Sequence, residues 1–410
     1  MNFRFCLFAA LASVALTAAA KIEICEPLEG AIVSQLYPVQ AKLVSESREE
    51  REKYFDGGEN AKALKEAKSR PKPVSLKWRG GKPPYLVEIR RLPDGKVFFT
   101  GKTGKNEIAV DSLEIAREWE WTVSGGGESG RGTFKTEDRA PRLVKISRVV
   151  NIRDIGGWKG LNGRRIKQGL LFRSGGLNAN APIEYYSVAE ITKMHAEGKL
   201  EKMGEVGRNH ARQLDRGEKL RESDMRLVKR SCFAPGDAKL TEKERKRVLD
   251  LYGFKTDIDL RSAQEVYGMT GSPLGPSVDW VNVSLVGGYG RFANKDFFEE
   301  KRKIFKPVFD RKSYPIVFHC IAGADRTGTI AFMIGALLGV EEDDLALDYL
   351  VTGLAAGVTD AKHKAWFDGM IRNFRNLPGK TSAEKMNGVF LDMGFTQKEI
   401  DDFREFMLEP

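Results

Sequence analysis

The chain has 410 residues, 41% of them hydrophobic, which is enough for two domains with packed cores. Its 67 basic and 57 acidic residues leave a formal charge of +10, and an excess this diffuse describes a solvated basic surface. Basic runs such as Arg245-Lys246-Arg247 and Lys301-Arg302-Lys303 lie in mixed-charge helical stretches without interleaved aromatics, so they do not read as nucleic-acid sites.

Residues 1–20 read as a cleavable signal peptide: Arg4 in a short n-region, an apolar run from Phe5 to Leu16, and Ala18-Ala19-Ala20 as the small-residue cleavage site. An exported protein, periplasmic or secreted, is expected. It would have no stable membrane span after cleavage, because the apolar run is too short. Loss of Cys6 leaves Cys25, Cys232 and Cys320, without the C-x-x-C spacing of zinc or redox sites. A Cys25–Cys232 disulfide is compatible with an oxidising compartment.

Residues 21–138 predict an all-β sandwich. Residues 21–43, with Pro27 and Gly30, are expected to supply its first strand, and a charged stretch near 46–70 reads as a helical insertion. Short alternating strands follow at 74–78, 85–90, 97–101, 107–110, 119–124 and 132–136, with turns at Pro93-Asp94-Gly95 and Gly125-Gly126-Gly127. The rhythm resembles a fibronectin type III or immunoglobulin-like module, with Trp78, Trp119 and Trp121 in its core. No catalytic constellation falls in this third of the chain, and the partner of the sandwich is left open.

After a short linker, residues 143–410 form the second expected domain. Within it, residues 178–237 make a long polar insertion of helical character that reads either as a lid or rim or as an inert surface excursion, with His195 and His210 solvated. Gly287-Gly288-Tyr289-Gly290 lacks the spacing of a nucleotide loop and reads as a flexible active-site loop.

The most informative stretch is His319-Cys320-Ile321-Ala322-Gly323-Ala324-Asp325-Arg326-Thr327-Gly328. An apolar strand-like run, 315–318, precedes it, and an apolar helix-forming run, 329–340, follows. A loop feeding a helix start aims backbone N–H groups and the positive end of the helix dipole at one point, which suits a phosphate dianion. The same field lowers a thiol pKa, so Cys320 reads as a nucleophile, Arg326 as a bidentate phosphate clamp and Thr327 as the hydroxyl that steadies the departing thiolate. His319, Ile321, Ala322, Gly323, Ala324 and Gly328 would form the substrate-binding loop. No metal or cofactor is called for.

The decamer resembles the signature loop of cysteine-dependent protein tyrosine phosphatases, in the bacterial tyrosine/dual-specificity branch with H-C-x-x-G-K-D-R-T-G. Three upstream stretches are similar to that branch: Asn151-Ile152-Arg153-Asp154-Ile155-Gly156-Gly157, the Phe172-Arg173-Ser174 strand, and Asp259-Leu260-Arg261-Ser262 followed by Glu265. The resemblance implies an α/β domain with a central, mostly parallel sheet flanked by helices, and hydrolysis of a phosphomonoester through a cysteinyl-phosphate, with a phosphotyrosine-containing protein as first substrate. Ala324 stands where the family has lysine, which argues against highly anionic substrates such as phosphoinositides.

A general acid is also needed, and two aspartates compete: Asp259, near the end of a strand-like run, and Asp325, inside the loop. Asp259 could instead pair with Arg261 or Arg153. Arg153 and Asp154 read as a turn-stabilising pair, and Arg261 as a further contact to substrate or as a structural ion pair. Dual-specificity or phosphoinositide hydrolysis is the alternative activity. A catalytically silent phosphate-binding module is the alternative of another class, and rhodanese-like sulfur transfer fits the Arg-Thr-Gly close of the loop less well.

Overall fold

The structure, a computed structural model, describes residues 21–52, 69–178, 184–220, 227–230, 240–263, 265–266, 269–285, 292–356 and 361–410. The signal-like segment 1–20, most of the charged stretch near 46–70, the loop 287–290 and Cys232 lie outside the described residues. Cys25 is a free, half-buried thiol. No helix among the described residues is long and apolar enough to cross a membrane.

The described residues divide into two compact units that are not contiguous in sequence: those within 21–33, 74–110 and 117–136 form one, and those within 34–73, 111–116 and 137–410 the other. The first unit is β-rich. Its strands are β1 (Glu23–Glu26), β2 (Ala31–Val33), β3 (Val74–Arg79), β4 (Tyr85–Leu92), β5 (Val97–Thr103), β6 (Glu107–Val110), β7 (Glu118–Gly125) and β8 (Glu128–Thr136). They form two sheets, ordered β1-β3-β6 and β2-β8-β7-β4-β5. Alternation does the burying: Val74, Leu76 and Trp78 on β3, and Trp119, Trp121 and Val123 on β7, all face inward. Trp78 of one sheet meets Tyr85 and Trp121 of the other at ring-centroid distances of 5.1 and 6.3 Å. Gly126 and Gly127, both at positive φ, close the β7–β8 hairpin in two residues.

Residues 34–43, within the 21–43 segment expected to supply a first strand, instead run into a helix, Pro38–Ser45. Pro38 opens it with its fixed φ, and the Gln40 side chain accepts from the Tyr37 N–H at 2.8 Å. Leu36 and Leu43 from this segment pack in the core of the second unit.

The second unit is an α/β domain. Its sheet runs β15-β14-β16-β11-β10-β9, where β9 is Arg142–Leu143, β10 Arg153–Asp154, β11 Leu171–Ser174, β14 Thr256–Asp259, β15 Asp279–Asn282 and β16 Ile316–His319. The four strands from β15 to β11 are parallel, and β10 pairs antiparallel with both β11 and β9. Strand β16 is wholly buried at the centre, and its register aligns Ser174, Asp259, Asn282 and His319 at the carboxyl ends. In an open parallel sheet that edge is where ligands bind.

The insertion contains β12 (Glu184–Tyr185) and β13 (Val228–Arg230), paired antiparallel, together with helices Val188–Ala196 and Gly204–Asp215. Ile191, Leu200, Ala211 and Leu227 give it a small core of its own. His195 lies 3.2 Å from Asp215, partly exposed. His210 corrects the expectation of a solvated ring: it is buried, with Nδ1 3.2 Å from Gln213.

Candidate active site

The signature loop leaves β16 after His319 and enters a helix, Asp325–Leu337, whose residues from Thr327 onward are all buried. Cys320 is 3% exposed at the floor of the loop. Burial alone would raise its thiol pKa, but Arg326, the Thr327 hydroxyl and the backbone N–H groups of Thr327 and Gly323 outweigh it, so the thiol is held below its ordinary value.

The loop is shaped from behind. The Ile321 carbonyl accepts from Gly176 N–H at 2.8 Å. The Asn151 amide donates to the Ala322 and Gly323 carbonyls at 3.1 and 2.9 Å, and Arg173 donates to the Gly323 carbonyl at 2.7 Å. In a planar trans peptide the N–H opposes the C=O, so drawing three successive carbonyls to one side turns the N–H groups of Ala322, Gly323 and Ala324 to the other. Gly323 has φ +70°, and a Cβ there would lie 2.6 Å from the backbone of Ser174 and Gly175. Only glycine fits.

Asn151 sits at φ 55°, a conformation asparagine tolerates better than most residues. Arg153 and Asp154 do not pair with each other, as the sequence suggested. Asp154 accepts from the N–H groups of Gly156 and Gly169 and from Arg142. Arg153 bonds the Asn151 side chain and, at 2.6 Å, the Asp348 carboxylate.

Arg326 is half-buried and donates to both oxygens of Glu265, at 2.7 and 2.9 Å. Glu265 in turn accepts from the Ser262 N–H at 2.6 Å. Burial would raise the Glu265 carboxyl, but Arg326 and Ser262 hold it below the usual range, so it is an anion that aims the guanidinium.

Three expected site residues are placed differently. Asp259 is fully buried and held by Arg261 through Nε at 2.8 Å and Nη2 at 2.5 Å. Burial raises its pKa, but His319 and Arg261 prevail and keep it below the ordinary carboxylate range. The structure holds the alternative reading of Asp259, the buried pair with Arg261. Arg261 is likewise 0% exposed, engaged with Asp259 and the Asn178 side-chain amide oxygen, which is the structural ion pair that stood as its alternative role. His319 is also 0% exposed; its Nδ1 lies 3.1 Å from the Cys320 carbonyl and its Nε2 3.0 Å from Asp257, so it braces the loop from beneath instead of lining it.

The remaining residues come together at the loop. Ile321 and Ala322 are half-buried, Ala324 is buried, and Gly328 donates to the Ala324 carbonyl at 2.7 Å within the first helical turn. Asp325 opens the helix, half-buried and one residue before Arg326. Among the described residues no group of acidic, histidine or cysteine side chains could hold a metal. Sequence reasoning quoted Glu265 and Asn151 in motifs without giving them work. Asp348 carries no local signal, since its partners are 195 and 175 residues away.

A sequence model of the tyrosine phosphatase family matches residues 144–192 and 236–409, more than half of the chain. The match breaks inside the polar insertion. No curated protein matches the chain significantly.

Proposed function

The chain belongs to the tyrosine phosphatase family, and from that premise we propose that it is a protein-tyrosine phosphatase working through a cysteinyl-phosphate. The observation that carries this reading is the geometry of the loop: Cys320 at its floor, carbonyls drawn back by Asn151 and Arg173, and Arg326 on the first helical turn aimed by Glu265.

The Cys320 thiolate attacks phosphorus, and the P–O bond to the leaving group breaks. Arg326 and the loop N–H groups hold the three equatorial oxygens, where charge accumulates in the transition state. Asp325, at the start of the helix, gives its proton to the departing phenolate. In the second step water attacks the thiophosphate, the Asp325 carboxylate takes the water's proton, and the thiolate leaves toward the Thr327 hydroxyl. Every proton returns to its starting place after one cycle. Ala324, buried in place of a lysine, supports phosphotyrosine over a more anionic lipid head.

Export under residues 1–20 and a docking or spacing role for the β-rich unit belong to the same proposal. The test is phosphate release from para-nitrophenyl phosphate and from matched phosphotyrosine and phosphoserine peptides, by the wild type and by Cys320→Ser, with a chelator present. Turnover of the tyrosine peptide that vanishes in the mutant and survives the chelator is expected. Tight phosphopeptide binding without turnover would replace this reading with a silent binding module.

A further inference from the structure

Helix Glu342–Val351 lies outside every motif of the sequence, yet it sends one carboxylate under the active-site loop. Asp348 is flanked by two guanidiniums that are each 1% exposed: Arg153 Nε at 2.6 Å and Arg173 Nη1 in a short contact. Arg153 also reaches the Asp348 carbonyl at 2.6 Å and the Thr352 hydroxyl at 3.2 Å. Arg173 then donates to the Gly323 carbonyl, while Arg153 bonds the Asn151 side chain, whose amide holds Ala322 and Gly323. One carboxylate thereby fixes both donors that turn the loop carbonyls backward. The helix itself is tied down at its start, where Arg48 pairs with Glu342 at 3.0 Å.

We infer that Asp348 is a positioning residue for the phosphate loop, acting through Arg153, Arg173 and Asn151 to aim the loop N–H groups at the thiolate and the phosphoryl oxygens. A buried arginine has five donors in a rigid plane; two of them sharing one carboxylate leave each plane a single orientation. Without the carboxylate, Arg153 still holds the Asp348 carbonyl, the Thr352 hydroxyl and Asn151, but both guanidiniums lose the shared anion that sets their planes, and the rear anchors of the Ala322 and Gly323 peptides shift. The charged groups facing the thiol are Arg326, with Glu265 and Asp259 behind it. Those facing Asp348 are Arg153 and Arg173.

The inference rests on the thiolate reading of Cys320, and the sign of one measurement separates it from a plain charge effect. Deleting a nearby negative charge favours a thiolate by electrostatics alone. Misaimed N–H groups disfavour it. For full-length Asp348→Asn, the midpoint of Cys320 alkylation by iodoacetamide against pH, taken as the difference from Cys320→Ser, is expected to rise by about 1 pH unit, a tenfold change. The acid limb of kcat/KM should follow it, and Asp348→Glu should recover part of the shift.

Phe403→Leu, a core truncation where the last helix packs on Phe309, controls for general loosening: it should lower Tm and leave the midpoint in place. A folded Asp348→Asn with an unchanged or lowered midpoint overturns the inference. If that variant does not fold, Arg173→Lys and Asn151→Gly decide it: a raised midpoint in both supports the inference, and an unchanged one in either overturns it. Because alkylation needs no turnover, a wild type with a low midpoint and no phosphate release would sink the phosphatase reading while leaving this one standing.

Discussion

Glu265 grips Arg326 with both carboxylate oxygens, at 2.7 and 2.9 Å, from a turn that follows the neighbouring strand of the sheet. The pairing fixes the plane of the guanidinium and leaves its remaining N–H groups to meet a phosphate. It also costs the site some positive charge, so Glu265 trades net attraction for aim. Glu265→Gln keeps one acceptor and the shape, and should lower kcat/KM for an aryl phosphate by about tenfold, whereas Glu265→Ala should lower it by about a hundredfold, about 2.7 kcal/mol. Steady-state kinetics of the two variants check this; equal activity in all three proteins would show that Arg326 needs no support.

The two candidate acids should separate cleanly by kinetics and stability. Asp325→Asn is expected to cut kcat by about a hundredfold for a poor leaving group and much less for para-nitrophenolate, with the basic limb of the pH profile flattened. Asp259→Asn should act on the fold instead, since it leaves Arg261 buried without its anion, a loss of about 3–5 kcal/mol. Thermal unfolding beside the leaving-group series reads both. A leaving-group dependence in Asp259→Asn and none in Asp325→Asn would reverse the assignment.

What could be read from the sequence followed how local each interaction is. The strand–loop–helix around Cys320 was legible because its strand, glycine and helix signals are adjacent, and the β-rich unit was legible because period-2 burial is a property of each strand alone. The side chain of Asp259 was not, because a strand-end aspartate reads the same whether it faces a crevice or an arginine two residues on. Arg153 and Asp154, neighbours in sequence, point to opposite faces of β10 and so found different partners. The segment 34–45 shows no pattern that says which core receives Leu36 and Leu43. Asp348 is one of four acids in its helix, given meaning only by two arginines on the adjacent strands β10 and β11, 195 and 175 residues away in sequence.

Gly323 is a position where backbone and space agree. Gly323→Ala would force a Cβ to within 2.6 Å of the Ser174 and Gly175 backbone at φ +70°. The loop must then shift, and the carbonyl that Asn151 and Arg173 hold moves with it. We expect the variant to stay folded, because the contact is confined to the loop, and to lose at least a hundredfold in kcat/KM together with its affinity for inorganic phosphate. Circular dichroism, phosphate inhibition and turnover test the three parts. Wild-type phosphate affinity would show that the loop absorbs a methyl group.

The buried charges beneath the loop predict the pH dependence of stability. Burial pushes the His319 pKa down, but Asp259 and Asp257 overcome it, and its folded value is raised above the ordinary one. The stability it contributes is therefore complete below about pH 6.5, the unfolded value, and is lost as pH rises through the folded value. Asp259 and Asp348 are held below the ordinary carboxylate range, so their contribution is present above about pH 4 and lost as pH falls through their folded values. Cys320, also lowered, gains in the alkaline direction and opposes His319, so the measurement belongs in a Cys320→Ser background. There Tm should decline above about pH 6.5, and His319→Asn, lower throughout, should remove that alkaline slope. The same slope in both proteins would mean that His319 is neutral in the folded chain and that its two aspartates are balanced by Arg261 alone.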